Sequence, residues 1–144
     1  MRYLLDDINS LIDRYSHHPN LHFSLIYILE AHAIDEWPIY ALPLEYETTQ
    51  HRTIEERITR ANLLPKLFTI HPSVDIFVDN EHDIFIDVMC SWPFRYWILK
   101  NDTIVNKMMP EGYDISLTSL QDWLKKLFPN PSQESSSTQQ HQIL

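Results

Sequence analysis

The residues best suited to chemistry sit together as Glu30, His32, Asp35, Glu36 and Trp37, directly after the apolar run from His22 to Leu29 and directly before Pro38. Imidazole titrates near neutrality and a nearby carboxylate can take or return a proton, so Glu30 and His32 read as a site for proton transfer or ligand binding. The alternative for His32 is a ring hydrogen-bonded within its loop. A second histidine, His51, opens another polar block. If both rings line one cleft they suit proton donation; otherwise His51 simply flanks a helix start. Arg57 and Arg95 carry planar forks that match a carboxylate such as that of an amino-acid ligand, or that enter structural ion pairs. Trp37 adds an aromatic face for a ligand.

Other chemistries are poorly supplied. The chain has one cysteine, Cys90, which can form neither an internal disulfide nor a dithiol redox centre. Its one glycine, Gly112, excludes Gly-rich phosphate loops. His17, His18 and His22 raise a zinc hypothesis, but adjacent histidines at a helix end point apart and no spaced fourth ligand completes a tetrahedral set, so no metal is expected.

The elements that position these groups follow from periodicity. Leu4, Leu5, Ile8, Leu11, Ile12 and Tyr15 fall at helical spacing, which predicts an amphipathic helix from Arg2 to about Ser16. A strand over 21–29 follows and releases the polar cluster at its carboxyl end, where open α/β sheets place ligand-handling residues. Residues 38–50 read as a loop. Thr53-Ile-Glu-Glu56 is a capping-box pattern for a helix running to about Leu64 and limited by Pro65. Val74, Ile76 and Val78 alternate with Asp75, Phe77 and Asp79, a strand pattern. Residues 80–91 fit either a helix or a strand. Arg95–Leu99 and Thr103–Met108 flank the turn pair Asn101-Asp102, a hairpin signal. Leu117, Leu120, Leu124 and Leu127 mark a closing helix capped by Ser116.

With 144 residues the chain reads as one α/β domain over 1–128 and a disordered Pro/Ser/Gln-rich tail over 129–144. A net charge of −9, without Lys or Arg clusters, excludes nucleic acid and disfavours anionic membranes. No run approaches the roughly 20 apolar residues of a membrane helix. Two acids follow Met-Arg-Tyr-Leu-Leu where a signal peptide would stay apolar. The expectation is a soluble, cytoplasmic protein.

The segment from Tyr27 to Trp37 resembles the Tyr-Ile-Glu-Glu-Ala-His-x-x-Asp-x-Trp signature of the iodothyronine deiodinases, with Tyr27, Ile28, Glu30, Ala31, His32, Asp35 and Trp37 matching. Leu29 replaces the first Glu of that signature and Glu36 its Gly. Residues 50–57 resemble the family's Gln-His-Arg-x-Leu-Glu-Glu-Arg block, Met89–Arg95 parallels its Tyr-Gly-Ala-x-Pro-Glu-Arg, and Gly112-Tyr113 echoes its last motif. The resemblance implies a thioredoxin-like three-layer domain, selenol- or thiol-dependent removal of iodine from thyroid hormone, no resident cofactor and an external thiol reductant. It favours a helix within 80–91 and allows a cis bond at Trp92-Pro93, although trans is the commoner state of X-Pro bonds. It makes His32, His51 and Glu30 the catalytic candidates and Trp37, Arg57 and Arg95 the ligand-binding ones, with an iodothyronine or other aromatic small molecule as partner. Vertebrate family members carry an amino-terminal membrane anchor, which this sequence does not show.

One element is missing. By the resemblance, the amino end of this chain aligns with the helix that follows the family's Cys or selenocysteine, so the nucleophile and the central strand before it have no counterpart. Cys90 is the one substitute, and a helix carboxyl end opposes an anionic sulfur, so it is read as buried packing. The expectation is a catalytically silent or incomplete chain, or alternatively a non-catalytic protein- or ligand-binding module. The absent strand would leave two open edges. Either the strands near Phe23 and Arg95 pair directly, or a partner such as a second copy fills the gap, or an upstream segment does.

Overall fold

The structure, a computed structural model, describes residues 2–39, 43–108 and 117–129. Helices and strands alternate as α1 (Arg2–Tyr15), β1 (Phe23–Tyr27), α2 (Ile54–Ala61), α3 (Leu64–Leu67), β2 (Val74–Val78), α4 (Ile84–Met89), β3 (Tyr96–Lys100), β4 (Thr103–Met108) and α5 (Thr118–Leu127). The α/β class is as expected from the sequence.

Helix α1 turns its apolar stripe inward, so Leu11 and Tyr15 cluster with Leu124 of α5, and Leu21, Phe23, Leu120 and Phe128 close around them. Burying each such side chain contributes roughly 1.5–3 kcal/mol, which fixes α1 against α5 over the start of β1. The chain leaves α1 through a bond from His18 N to Tyr15 O at 3.0 Å, and Pro19 prevents another helical turn.

Strand β1 lies parallel to β2 in the register Phe23↔Val74 to Tyr27↔Val78, and the bond from Asp79 N to Tyr27 O at 2.9 Å extends the ladder. The crossover between them carries α2, whose start is the expected capping box: Thr53 Oγ1 accepts from Glu56 N while the Glu56 carboxylate accepts from Thr53 N. Such a cap contributes about 1 kcal/mol. Pro65 does not simply end this helix. It sits in the first turn of α3, where its missing N–H costs no bond, so the expected single helix is two.

Within residues 80–91 the helix α4 forms over Ile84–Met89, flanked by Asp83 and Cys90 in left-handed backbone conformations with φ of 53° and 50°. The Trp92-Pro93 bond is cis. Strands β3 and β4 form the expected antiparallel hairpin, and Asn101 and Asp102 at φ 49° and 58° supply the positive pair that a two-residue turn demands. The Ser116 cap, Gly112-Tyr113 and the tail from 130 on lie outside the described residues.

Among the described residues, β1 pairs with β2 alone and β3 with β4 alone. Direct pairing of β1 with β3, one of the three arrangements the sequence allowed, is not adopted among the described residues, and each of the two strands keeps a second edge without a ladder. No helix of the described residues is long and apolar enough to cross a membrane.

Candidate functional site

The end of β1 builds the site. Tyr27 closes the strand, and Glu30, three residues on, folds back so that its carboxylate accepts the Tyr27 hydroxyl proton. The His51 Nε2 atom lies 2.7 Å from the same hydroxyl oxygen, and the two rings meet at 5.5 Å between centroids. The Glu30 carboxylate is also 3.9 Å from His51 Nε2 and 4.0 Å from Arg60 Nε, contacts long enough to act as a field rather than as bonds. Arg60 itself donates to Tyr46 O at 3.0 Å.

Burial sets the proton inventory. His51 is 8% exposed. Its pKa falls below the ordinary imidazole value chiefly through loss of solvent, with Arg57 and Arg60 adding to that and Glu30 opposing it. The Tyr27 phenol is pushed far above its ordinary value by burial first and the Glu30 carboxylate second, so it keeps its proton. A phenol has one proton to give, and here it goes to Glu30. His51 Nε2 must then be the donor to the phenol oxygen, which leaves Nδ1 of the neutral ring to gain and lose a proton. The three groups form one hydrogen-bonded chain, Glu30–Tyr27–His51.

The unfolded chain binds a proton at His51 more readily than the folded one. Stability from this group is therefore full above the unfolded pKa of about 6.5 and declines as pH falls below it. Chemical denaturation from pH 7 to pH 5 should show a decline absent from His51→Gln, its slope no steeper than about 1.4 kcal/mol per pH unit. Parallel curves for the two proteins would contradict a buried neutral His51.

The other expected residues divide. His32 does not join Glu30. Its Nδ1 lies 3.2 Å from Trp37 O and its ring sits 5.2 Å from the Trp37 ring, forming a second small aromatic face, with Trp37 63% exposed. Asp35 and Glu36 pair with Arg52 at 3.4 and 2.9 Å on the surface. The backbone N–H of Gln50, and secondarily Arg52, holds the Asp35 carboxyl below its usual range. Arg57 is buried and committed to structure: it donates to Asp79 O and Asn80 O at 3.2 and 2.6 Å and pairs with Asp83 at 2.7 Å. Arg95 donates to Phe94 O at 2.6 Å and keeps a buried Nε–H without an acceptor. Beside it, the Tyr96 hydroxyl is buried, unpartnered, and raised above its ordinary pKa by loss of solvent.

Cys90 is exposed, not buried as packing; it follows the last turn of α4 with a left-handed backbone, at the edge of the domain's packing. Among the described residues no three His, Cys, Asp or Glu groups converge to hold a metal. Sequence reading gave no role to Tyr27, Arg60 or Gln50. A tyrosine placed three residues before an acid at a strand end was the available signal for the first.

The family model described as iodothyronine deiodinase matches residues 2–128. The type I iodothyronine deiodinase of Xenopus laevis is 31% identical over 112 residues, 76% of this chain and 38% of that protein. The thyroxine 5-deiodinases of Sparus aurata and Homo sapiens are 30% and 28% identical over 106 residues, 72% of this chain and 37% and 33% of theirs. The chain thus spans well under half the length of these curated relatives. Because the match runs through β1, the Glu30–Tyr27–His51 path and the β3–β4 hairpin to α5, the chain belongs to the iodothyronine deiodinase family.

Proposed function

We propose that this chain supplies the proton-handling part of a thioredoxin-like deiodinase domain and is catalytically silent by itself. The observation that carries the reading is the Glu30–Tyr27–His51 path, buried at a strand end and lying within the residues that the family model matches. In reductive deiodination a selenolate or thiolate attacks iodine, the carbon–iodine bond breaks, and the ring carbon takes a proton. A second thiol then releases iodide and leaves an oxidised chalcogen pair, so two electrons come from external thiol. His51 is the group to supply the proton: charged at Nδ1 by a proton from solvent, it gives that proton to the ring carbon and returns to the neutral Nε2–H form that Tyr27 and Glu30 hold in place. The His32–Trp37 face suits an iodinated aromatic ring, and the guanidinium of the half-buried Arg95 suits the carboxylate of an amino-acid substrate.

Cys90 is the one thiol of the sequence. Cys90 stands at the carbonyl end of α4, which repels an anion rather than drawing one in. The open edges of β1 and β3 suit a further strand carrying a nucleophile. Incubation of the chain with thyroxine and dithiothreitol should release no iodide above the protein-free control. Release that disappears in Cys90→Ser would overturn the reading.

A further inference from the structure

Gln50 is 4% exposed, yet every polar valence of its amide is filled by the site rather than by its own loop. Its Oε1 accepts from Glu30 N at 3.2 Å and from His51 N at 3.3 Å. Its Nε2 donates to Glu30 O at 2.9 Å and to the Glu36 carboxylate at 3.0 Å. The backbone N–H of the same residue donates to Asp35 Oδ1 at 2.8 Å. One side-chain amide thus meets both backbone groups of Glu30 as a neighbouring strand residue would, beyond the point where the β1–β2 ladder has ended.

This placement does what β1 itself cannot. Glu30 lies three residues past the end of the strand, where no ladder fixes its backbone direction. Its carboxylate reaches Tyr27 only if that direction is set, and His51 reaches the same hydroxyl only if its own backbone is set with it. The pairing is also specific to an amide of this length. A glutamate at 50 would turn its oxygens on Glu30 O and the Glu36 carboxylate, and an asparagine would fall one methylene short.

We propose that Gln50 is the positioning residue of the site, its amide holding Glu30 and His51 at the distance from Tyr27 that keeps the proton path connected. The inference rests on the reading of Glu30–Tyr27–His51 as that path.

Ring 15N chemical shifts of His51 in the full chain provide the test, because they report which nitrogen carries the proton and do not respond to global stability. The unsubstituted protein should show the Nε2–H tautomer alone. Gln50→Met keeps the length and volume of the side chain but makes no hydrogen bonds, and should replace the single tautomer by a mixture while the titration midpoint of His51 rises toward the ordinary imidazole range. Thr53→Ala removes a neighbouring helix cap without touching the amide, and should leave the tautomer unchanged. Glu36→Ala frees one donor of the amide and should give a smaller shift in the same direction; it decides the matter if Gln50→Met does not fold. A folded Gln50→Met with the unsubstituted tautomer and titration, or a Glu36→Ala without any shift, overturns the role of Gln50 and leaves the proton path standing. An Nδ1–H ring in the unsubstituted protein overturns the path itself, and the positioning role with it.

Discussion

An Arg57→Ala chain should be less stable by about 3–5 kcal/mol, the usual cost of removing one partner from a buried charge pair. Arg57 is 2% exposed and joins α2 to the far end of β2 through Asp79 O, Asn80 O and the Asp83 carboxylate. Truncation strands two carbonyls and a carboxylate together. A natural domain is stable by only about 5–15 kcal/mol, so the variant should lose a large share of its stability and unfold at a much lower urea concentration. Arg57→Lys should recover only a minor part, since an ammonium cannot address three acceptors in a plane. The same change removes a positive charge that opposes protonation of His51, so the His51 midpoint should rise in whatever fraction stays folded. Urea titration gives the first quantity and histidine NMR the second. A loss below about 1 kcal/mol would mean that Arg57 is not the tie described.

Asp79→Ala is the second large effect, expected at about 3 kcal/mol or more. The buried Asp79 carboxylate accepts from Asn80 N, Phe85 N and Ile86 N at 2.8, 2.9 and 3.1 Å, and so caps α4 from the end of β2. Each N–H left inside without an acceptor costs roughly 1–3 kcal/mol. Asp79→Asn retains one oxygen and should cost clearly less, because its amide keeps an acceptor but turns a donor toward donors. Equal losses for Ala and Asn in urea titration would show that the cap contributes through packing instead.

The sequence was informative where structure is local. The Thr53 box, the Asn101-Asp102 turn and the alternation of β2 each depend on a few neighbouring residues, and each appears in the fold. It was less informative where partners are remote. Arg57 reads like any helix arginine, and only the return of the chain 22 to 26 residues later brings it three acceptors and buries it. Glu30 was legible as reactive but was matched with the wrong imidazole. His32 is nearer in sequence, but the turn at 31–37 aims it at Trp37, while the crossover brings His51 to Tyr27. Pro65 was read as a stop signal because proline cannot continue a helix, yet the same property admits it to the first turn of a new one.

Tyr27 is both the last paired residue of β1 and the hinge of the proton path. Side chains on a strand alternate between faces, so a slip of one position along β2 would swing its hydroxyl to the opposite side of the sheet and leave Glu30 and His51 facing an aliphatic neighbour. A single-codon insertion or deletion inside β1 would thus silence the site outright, whereas the turn around Leu44–Tyr46 lies outside this registration.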